Sequence, residues 1–270
     1  MSRNLFMKKI GEKAKSASLS LSRLNIKKKN SVLKKFNQYL KTYEQSILNA
    51  NRKDLYNAKS KKIEDSMIDR LKLDSKKISQ IRSSIEKIIK FKDPTGKTLS
   101  SWKRPNGLII KKVSIPIGVI GIIYESRPNV TSDVSALCFK TGNAVILRGG
   151  TEAFNTNKIL SDLFRKALKV KKCNENSVQF IKSQKRDNVD YLLSNMEKYI
   201  DIIIPRGGKN LVKKVQKKSK VPTIGHLEGI CHTYIHKKAN LKMAIKIVKN
   251  AKMRNFSICG ATETLLIDKA

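Results

Sequence analysis

The sequence predicts an α/β fold built on a mostly parallel, doubly wound sheet with helices ahead of it. Three observations predict this fold class. Unbroken apolar runs of strand length recur through the middle of the chain, segments with helical spacing alternate with them, and glycine-rich turns separate the two. Strands joined through helices pair in parallel, because a parallel pair needs a long crossover connection and that crossover is right-handed.

The first 91 residues are predicted to be helical. Their apolar side chains recur at steps of three and four, which places them on one face of a helix. The first stripe consists of Leu33, Phe36, Leu40, Tyr43 and Ile47, and the second of Ile78, Ile81, Ile85 and Ile88. Ser75 is the expected N-cap of the second helix.

A turn and a hairpin follow the helical part. Asp93 to Gly96 forms the turn, because Pro94 and Gly96 both interrupt a helix. Residues 108–113 then alternate weakly between apolar and polar side chains, which indicates a hairpin strand. We therefore expect one hairpin between the helices and the parallel sheet.

The middle of the chain predicts strand, loop, helix and strand in succession. Val119 to Tyr124 is an unbroken apolar run, as expected of a strand buried on both faces. A polar loop precedes helical spacing that begins at Val130 and continues through Val134, Leu137 and Cys138. That helix is expected to stop at Thr141-Gly142-Asn143. Ala144 to Leu147 is the next buried strand, and Arg148-Gly149-Gly150 follows it as a turn.

The alternation continues beyond Gly150. The predicted elements are a helix from about Glu152 to Lys169, a strand at Val178 to Ile181, a helix over Val189 to Met196 and a strand at Tyr199 to Ile204. This last strand ends at Pro205-Arg206-Gly207-Gly208, ahead of a lysine-rich helix, and such a turn offers N–H groups to an anion. Two Arg-Gly-Gly turns after two strands of one sheet favour a dinucleotide or phosphate site.

The C-terminal part contains the candidate nucleophile. Cys259 lies in a polar loop between an amphipathic helix and a terminal strand, with Ser257 and Gly260 beside it. Lys252 and Arg254 are close in sequence, and cations favour the thiolate form. Cys138 and Cys173, in helical or helix-end positions, are expected to be inert packed thiols.

Three histidines and one cysteine lie close together in the sequence, but their spacing argues against a metal site. The residues are His226, Cys231, His232 and His236. In a strand Cys231 and His232 point to opposite faces, so the four cannot converge on one ion. We therefore expect no metal.

The composition limits the class of protein. A chain of 270 residues can bury a sizeable core, and it carries 58 basic against 21 acidic residues, a formal net charge of +37. Phosphate contacts would make use of that charge, so a basic nucleic-acid-binding module is the alternative from a different class. The lysines are dispersed, and no RNP signature, zinc finger or basic zipper organises them, which favours exposed helix faces.

The compartment follows from what the sequence lacks. No apolar run reaches transmembrane length, and no signal peptide is recognisable at the first residues, so a soluble cytoplasmic protein is expected. The four cysteines form no CxxC pair, which favours reduced thiols.

Four stretches of the chain resemble one known family. They are IPIGVIGIIYESRPNVTSDVSALCFKTGNAVILRGG at residues 115–150, DRLKLDS at 69–75, GICHTYI at 229–235, and the cysteine ahead of ATETLLI, Cys259. Together they resemble the glutamate 5-semialdehyde dehydrogenase (γ-glutamyl phosphate reductase) family of the aldehyde dehydrogenase superfamily. The resemblance implies an aldehyde dehydrogenase-like fold, whose cofactor domain lacks the GxGxxG fingerprint that is also missing here.

The resemblance implies a role for particular residues. Cys259 matches the catalytic cysteine, and Asn129 matches the side chain that, with the Cys259 main-chain N–H, binds the oxyanion. Arg127 is the candidate for a carboxylate or phosphate of the substrate. The cofactor candidates are Arg148, Gly149, Gly150, Arg206, Gly207 and Gly208.

The reaction implied is reduction of L-glutamyl 5-phosphate by NADPH to L-glutamate 5-semialdehyde in proline biosynthesis, with phosphate released. Cys259 expels phosphate to form a thioester, and hydride then gives a thiohemiacetal that collapses. His226 replaces the water-activating glutamate of hydrolytic members, which suits an enzyme that must not hydrolyse its thioester, while the role of Glu228 is left open. Another acyl-phosphate or aldehyde dehydrogenase of the superfamily is the alternative within the enzyme class.

The resemblance also implies how the chain is organised. Residues 1–100 form the N-terminal helical part of the cofactor domain, 101–114 a hairpin toward an oligomer interface, 115–225 the dinucleotide-binding domain and 226–270 the start of a catalytic domain. A full-length chain is expected to form a homo-oligomer, with glutamate 5-kinase as a candidate partner.

Two departures from the family bear on activity. Gly260 and Asn255-Phe256 stand where relatives commonly carry Asn and Arg-Pro, which leaves the local oxyanion geometry open. Family chains also continue past the position of Ala270, so we expect a C-terminally truncated form with poor solubility and little turnover.

Overall fold

The computed structural model describes residues 3–61, 63–185, 187–225, 229–256 and 258–269. The chain divides into two compact units, Met1–Gly225 and His226–Ala270. Each unit has its own sheet of parallel strands, and the first also carries a separate hairpin.

Five helices open the first unit, which confirms the helical prediction for this part. They are α1 (Arg3–Leu21), α2 (Ile26–Thr42), α3 (Glu44–Ser60), α4 (Asp65–Leu71) and α5 (Ser75–Lys90). Across the described residues, no helix combines the length and the apolar character needed to cross a membrane.

Two details of the helical prediction are wrong. The apolar stripe from Leu33 to Ile47 does not belong to one helix, because the chain breaks at Tyr43 between α2 and α3. The stripe hides this break, since both helices pack their apolar faces on the same core cluster. The N-cap of α5 is Asp74 rather than Ser75, and its carboxylate accepts a hydrogen bond from the Lys77 main-chain N at 2.7 Å.

The predicted hairpin is present. Its strands are β1 (Thr98–Lys103) and β2 (Ile109–Val113), which pair antiparallel as a sheet of two. All but Ile110 are exposed within these strands. Four large apolar side chains there, Leu99, Trp102, Ile109 and Val113, are between 45% and 62% exposed.

The main sheet has four parallel strands, which confirms the fold class. They are β3 (Val119–Tyr124), β4 (Ala144–Gly149), β5 (Val178–Phe180) and β6 (Ile202–Arg206), in the spatial order β5-β4-β3-β6. The connecting helices are α6 (Pro128–Lys140), α7 (Phe154–Val170) and α8 (Asp187–Ser194), and α9 (Lys209–Lys218) follows β6. Short 3-10 turns precede α7 and β5.

Helices cover both faces of this sheet. Side chains of β3 alternate, so Ile120, Ile122 and Tyr124 join the cluster formed with α2, α5, α6 and α7. Val119 and Ile123 point the other way, into the cluster formed with α1, α8 and α9. Every residue of β3 and β4 is buried as a result.

Several element boundaries differ from the prediction. Strand β4 extends two residues beyond Leu147, so Arg148 and Gly149 lie in the strand and not in a turn after it. Strand β6 begins at Ile202 instead of Tyr199 and includes Pro205 and Arg206. A proline is tolerated there because β6 is the last of the four strands.

The helix after β3 also differs at its start and on one face. Helix α6 begins at Pro128, two residues before Val130, because proline has the right φ for the first helical position and needs no N–H partner there. Leu137 is 42% exposed, so it does not belong to the core face. The stop at Thr141 is as predicted.

The second unit holds two parallel strands and one helix. They are β7 (Cys231–Ile235), α10 (Leu241–Met253) and β8 (Thr262–Ile267). Asn240 caps α10 by accepting a hydrogen bond from the Met243 main-chain N at 3.0 Å. Large apolar side chains of these two strands and this helix are 44% to 71% exposed, namely Tyr234, Leu241, Met243, Ile245, Ile247, Met253, Leu265, Leu266 and Ile267.

A buried carboxylate joins α3 to the start of α7. Asp54 is 2% exposed and accepts hydrogen bonds from the main-chain N and side chain of both Asn155 and Thr156, at 2.6 to 3.1 Å. Asn51, one turn earlier on α3, donates to the Thr156 hydroxyl and to the Leu71 carbonyl. These bonds satisfy the main-chain donors at the first turn of α7.

Replacement of this carboxylate is expected to destabilise the first unit. Asp54→Ala leaves buried donors without an acceptor, so the free energy of unfolding should fall by about 2–4 kcal/mol in urea denaturation followed by circular dichroism. The matched control is Asp162→Ala, which removes an exposed ion pair with Lys182 and should change the value by less than about 1 kcal/mol. Equal effects of the two changes would contradict the structural role of Asp54.

Candidate functional site

The carboxyl ends of β3, β4 and β6 meet at one edge of the main sheet. Tyr124, the last residue of β3, lies opposite Gly149 of β4 and Arg206 of β6. The two Arg-Gly-Gly segments, residues 148–150 and 206–208, therefore flank the end of β3 on its two sides. The strand order reverses here, and open α/β sheets bind ligands at such a point.

The Arg148 side chain is built into the interior of this edge. It is 6% exposed, and its Nη1 donates to the Gly149 carbonyl while Nη2 donates to the Gln184 carbonyl at 3.4 Å. Its Nε is buried and has no hydrogen-bond acceptor among the described residues. Burial lowers the pKa of the guanidinium, and the nearby charge of Glu152 opposes this. Arg148 is thus a buried cation whose Nε–H has no acceptor among the described residues.

Glu125 occupies the N-terminus of α9. Its Oε2 accepts a hydrogen bond from the Gly208 main-chain N at 2.9 Å, and its own N donates to the Arg206 carbonyl at 3.2 Å. A Cβ at position 207 would lie 2.6 Å from the Glu125 carboxyl carbon. Gly207 therefore leaves the room that this carboxylate fills.

A second glutamate crosses between two neighbouring loops. Glu152, in the loop after β4, accepts hydrogen bonds through Oε1 from Ser126 N at 2.6 Å and Ser126 Oγ at 2.9 Å. Ser126 has a backbone φ of 37°, a value that residues other than glycine rarely adopt. The two hydrogen bonds to Glu152 hold the residue in this conformation. Gly150 gives the carboxylate space, because a Cβ there would overlap Glu152 Oε1.

The sequence prediction missed both glutamates. Each joins residues that are far apart in the chain, and only tertiary structure brings such pairs together. One signal was available: acidic residues are scarce here, and both lie within three residues of a strand end.

Asn129 and Arg127 lie in the segment that joins β3 to α6. Asn129 is the second residue of α6, and its Nδ2 donates to Asp133 Oδ2 at 3.1 Å. Burial raises the pKa of Asp133, while the hydrogen bond from Asn129 lowers it in part. Arg127 is the N-cap residue of α6 and is half-buried. Both predicted residues thus lie just after the C-terminal end of β3.

Cys259 lies in the second unit, in the loop between α10 and β8. Its side chain is exposed, as are Gly260 and Ile258 beside it. The loop turns through a hydrogen bond from Ala261 N to the Ile258 carbonyl at 3.0 Å. Ser257, named above as a neighbour, lies outside the described residues.

The other cysteines have different surroundings. Burial raises the pKa of the Cys138 thiol to about 12. Burial also raises the pKa of Cys173, against a smaller opposite effect of Lys28. Cys231, at the start of β7, is half-buried, and its Sγ lies 3.3 Å from the Cys259 carbonyl oxygen.

The histidine-rich segment is partly described. His226, the predicted replacement of a water-activating glutamate, and Glu228, whose role the sequence leaves open, lie outside the described residues. His232 Nδ1 lies 3.0 Å from the Ile230 carbonyl, and His236 Nε2 lies 3.8 Å from Asp268. Within the part of the chain that is described, no three His, Cys, Asp or Glu side chains form a group suited to a metal ion.

Comparison with known proteins assigns the family. The model of the aldehyde dehydrogenase family matches residues 6–270, and the chain belongs to that family. The gamma-glutamyl phosphate reductase of Bartonella quintana (strain Toulouse) is 45% identical over 263 residues, which is 97% of this chain and 64% of the relative. Membership of this family implies a nicotinamide cofactor.

Solved structures give the same result. The crystal structure of gamma-glutamyl phosphate reductase from Thermotoga maritima superimposes with a TM-score of 0.91 at 37% identity, covering 97% of this chain and 63% of that one. The enzyme of the same name from Saccharomyces cerevisiae gives a TM-score of 0.77 at 33% identity, with coverage of 99% and 66%. The chain thus spans about 64% of the length of the curated relatives it matches.

The contact between Glu152 and Ser126 predicts a graded effect on stability. Glu152→Ala removes the acceptor for two donors and should lower the free energy of unfolding by about 1–2 kcal/mol. Glu152→Gln keeps a carbonyl oxygen in that place, so its effect should be less than half as large. Thermal denaturation measures both changes.

The control for this pair is Glu175→Ala, which removes a surface carboxylate 3.9 Å from Arg165 and should alter stability by less than about 1 kcal/mol. If Glu152→Gln is as damaging as Glu152→Ala, the accepted hydrogen bonds are not what holds Ser126.

Proposed function

We propose that the protein reduces L-glutamyl 5-phosphate to L-glutamate 5-semialdehyde with NADPH, releasing phosphate, as a step of proline biosynthesis. The observation that carries this proposal is the likeness to the Thermotoga maritima enzyme, which extends over both units of the chain. Two features agree with it: an exposed cysteine in the second unit, and a strand switch point with two Arg-Gly-Gly segments in the first.

Cys259 is the nucleophile of this proposal. Its thiolate attacks the acyl carbon, the bond to the phosphate oxygen breaks, and phosphate leaves with the electron pair. A thioester on Cys259 is the result. Exposure of the side chain gives a phosphorylated substrate access to the sulfur. In contrast, Cys138 and Cys173 are kept as thiols by their raised pKa values.

Asn129 stabilises the negative oxygen that forms twice in this reaction. One N–H of its amide donates to Asp133, which fixes the plane and orientation of the amide. The other N–H of the amide is the proposed donor to the oxyanion. Arg127, next to Asn129 in the chain, is the proposed contact for a carboxylate or phosphate of the substrate.

The residues at the sheet edge fit a cofactor that carries phosphates. Arg148 has a buried and unused Nε donor, and the Gly207-Gly208 turn presents the N-terminus of α9. Arg206 adds a cation. Gly149 and Gly150 are assigned to the cofactor site on the family resemblance alone, because protein side chains fill the space at both. An anion at the α9 N-terminus would displace Glu125 from Gly208 N. When bound, the nicotinamide supplies hydride to the thioester carbon; NADPH is the form we propose.

The chain is organised to match these roles. We propose that residues 1–100 form the helical part of the cofactor domain, 115–225 its dinucleotide-binding sheet, and 226–270 the beginning of the catalytic domain. The hairpin within 101–114 carries exposed apolar side chains, and we assign it to contacts in a homo-oligomer, with glutamate 5-kinase as a further candidate partner. A reduced nucleophile requires a reducing compartment, which favours the cytoplasm.

The nucleophile assignment predicts selective labelling. With limiting iodoacetamide near neutral pH, Cys259 should be alkylated ahead of Cys138 and Cys173, because it is exposed and their thiols are harder to ionise. Prior incubation with NADPH or glutamyl phosphate should slow its alkylation. Peptide mass spectrometry gives the extent at each cysteine. Equal labelling of all four cysteines would exclude Cys259 as an activated nucleophile.

If Asn129 binds the oxyanion, its replacement should slow acylation of the Cys259 sulfur without slowing alkylation of the same sulfur. Asn129→Ala should slow thioester formation on Cys259 by about 10²–10³-fold, because the acyl transfer passes through an oxyanion. Alkylation by iodoacetamide forms no oxyanion and should proceed at the unmodified rate. Rapid quenching and mass spectrometry follow both products.

The control for Asn129 is Asn49→Ala, which removes an exposed amide from α3. It should change neither reaction. Equal slowing of alkylation and acylation in Asn129→Ala would mean that the substitution disturbs the sulfur itself rather than the oxyanion.

A further inference from the structure

Two cysteines of the second unit are brought together by the pairing of β7 with β8. Cys231, the first residue of β7, lies opposite Thr262, the first residue of β8, and the register shifts between Cys231 and His232. Cys259 is three residues before Thr262. The Cys231 Sγ lies 3.3 Å from the Cys259 carbonyl oxygen, where the S–H donates a weak hydrogen bond.

We propose that Cys231 is a resolving thiol, which forms a disulfide with Cys259 after a peroxide has oxidised Cys259. The site would protect Cys259 from irreversible oxidation and switch it off reversibly. That the switch controls activity rests on the proposed function, whereas the disulfide itself rests on the two sulfurs alone.

The chemistry balances with hydrogen peroxide as the oxidant. The Cys259 thiolate attacks one peroxide oxygen, an S–O bond forms, the O–O bond breaks and hydroxide leaves, so Cys259 becomes a sulfenic acid. The Cys231 thiolate then attacks that sulfur, the S–S bond forms, the S–O bond breaks and a second hydroxide leaves. Two thiols and one peroxide give one disulfide and two waters.

Disulfide formation needs the two side chains to turn toward each other. A disulfide requires Cα atoms about 4.4–6.8 Å apart, and the Cys231 Sγ lies 3.3 Å from the main-chain carbonyl oxygen of Cys259. The described residues from Lys252 to Gly260 are exposed, so little packing opposes rotation of the Cys259 loop. Cys231 is half-buried, and its contact with the Cys259 carbonyl holds its sulfur beside the main chain of the residue that is oxidised.

Removal of the resolving thiol separates two fates of Cys259. In the unmodified protein, sulfenic acid should be captured as the Cys231–Cys259 disulfide, which dithiothreitol reverses. In Cys231→Ser the same peroxide dose should raise sulfinic and sulfonic acid at Cys259 several-fold, since no thiol intercepts the sulfenic acid. Cys173→Ser is the matched control and should behave like the unmodified protein.

The experiment is treatment of the three proteins with stoichiometric hydrogen peroxide, then peptide mass spectrometry without and with reduction. A dithiothreitol-sensitive peptide pair linking Cys231 to Cys259, absent from Cys231→Ser, is the expected result. No such pair in the unmodified protein, or equal overoxidation of Cys259 in Cys231→Ser, would overturn the inference.

Thioester formation on Cys259, measured separately, distinguishes this inference from the proposed function. If the disulfide forms but no thioester does, the resolving role of Cys231 is supported and the proposed reductase chemistry is contradicted. If the thioester forms but peroxide produces no disulfide, only the resolving role of Cys231 is contradicted. Reduced Cys231→Ser should form the thioester at the unmodified rate, since Cys231 acts on the sulfenic acid only.

Discussion

The first unit depends on the complete burial of β3. This strand lies between β4 and β6, and its side chains alternate between two apolar clusters, one on each face of the sheet. A strand in that position favours apolar side chains, because a polar group on either face enters a core and needs a buried partner, as the Tyr124 hydroxyl has in Thr131. Val119 to Tyr124 meets this requirement, and Gly121 leaves room for Ile203 of β6. Helices on both faces are held by this one strand.

The same constraint places the functional groups. Because the side chains of β3 are apolar apart from the Tyr124 hydroxyl, the charged groups of this edge begin in the loop directly after the strand, at Glu125 and Arg127. The chain then leaves toward α6, whereas α9 starts from the neighbouring β6 on the other face. Glu125 and Glu152 join these diverging loops to each other through main-chain and hydroxyl donors. A rigid sheet edge with polar loops held by carboxylates is what a ligand site at a strand switch point requires.

The sequence predicted those features that depend on local pattern. The alternation of strands and helices, the stop after Lys140 and the hairpin follow from residues close together in the chain. The sequence predicts Arg148 in a turn after β4, whereas its burial inside the strand depends on the carbonyls of Gly149 and Gln184. The break at Tyr43 left no trace in the periodicity. Contacts between distant residues, such as Cys231 with Cys259, carry no local signal at all.

Lysines and carboxylates have different structural roles in this chain. Carboxylates are few, yet several of them accept main-chain or buried donors at junctions between elements: Asp54 at α7, Asp93 beside Lys29, Asp201 on Val119 N, and the two glutamates at the sheet edge. Lysine can spread over solvent-exposed helix faces with little effect on folding, whereas a carboxylate that accepts buried hydrogen bonds has no cationic substitute. On this argument the net charge of +37 reflects the freedom of exposed positions, and it needs no nucleic-acid ligand to explain it.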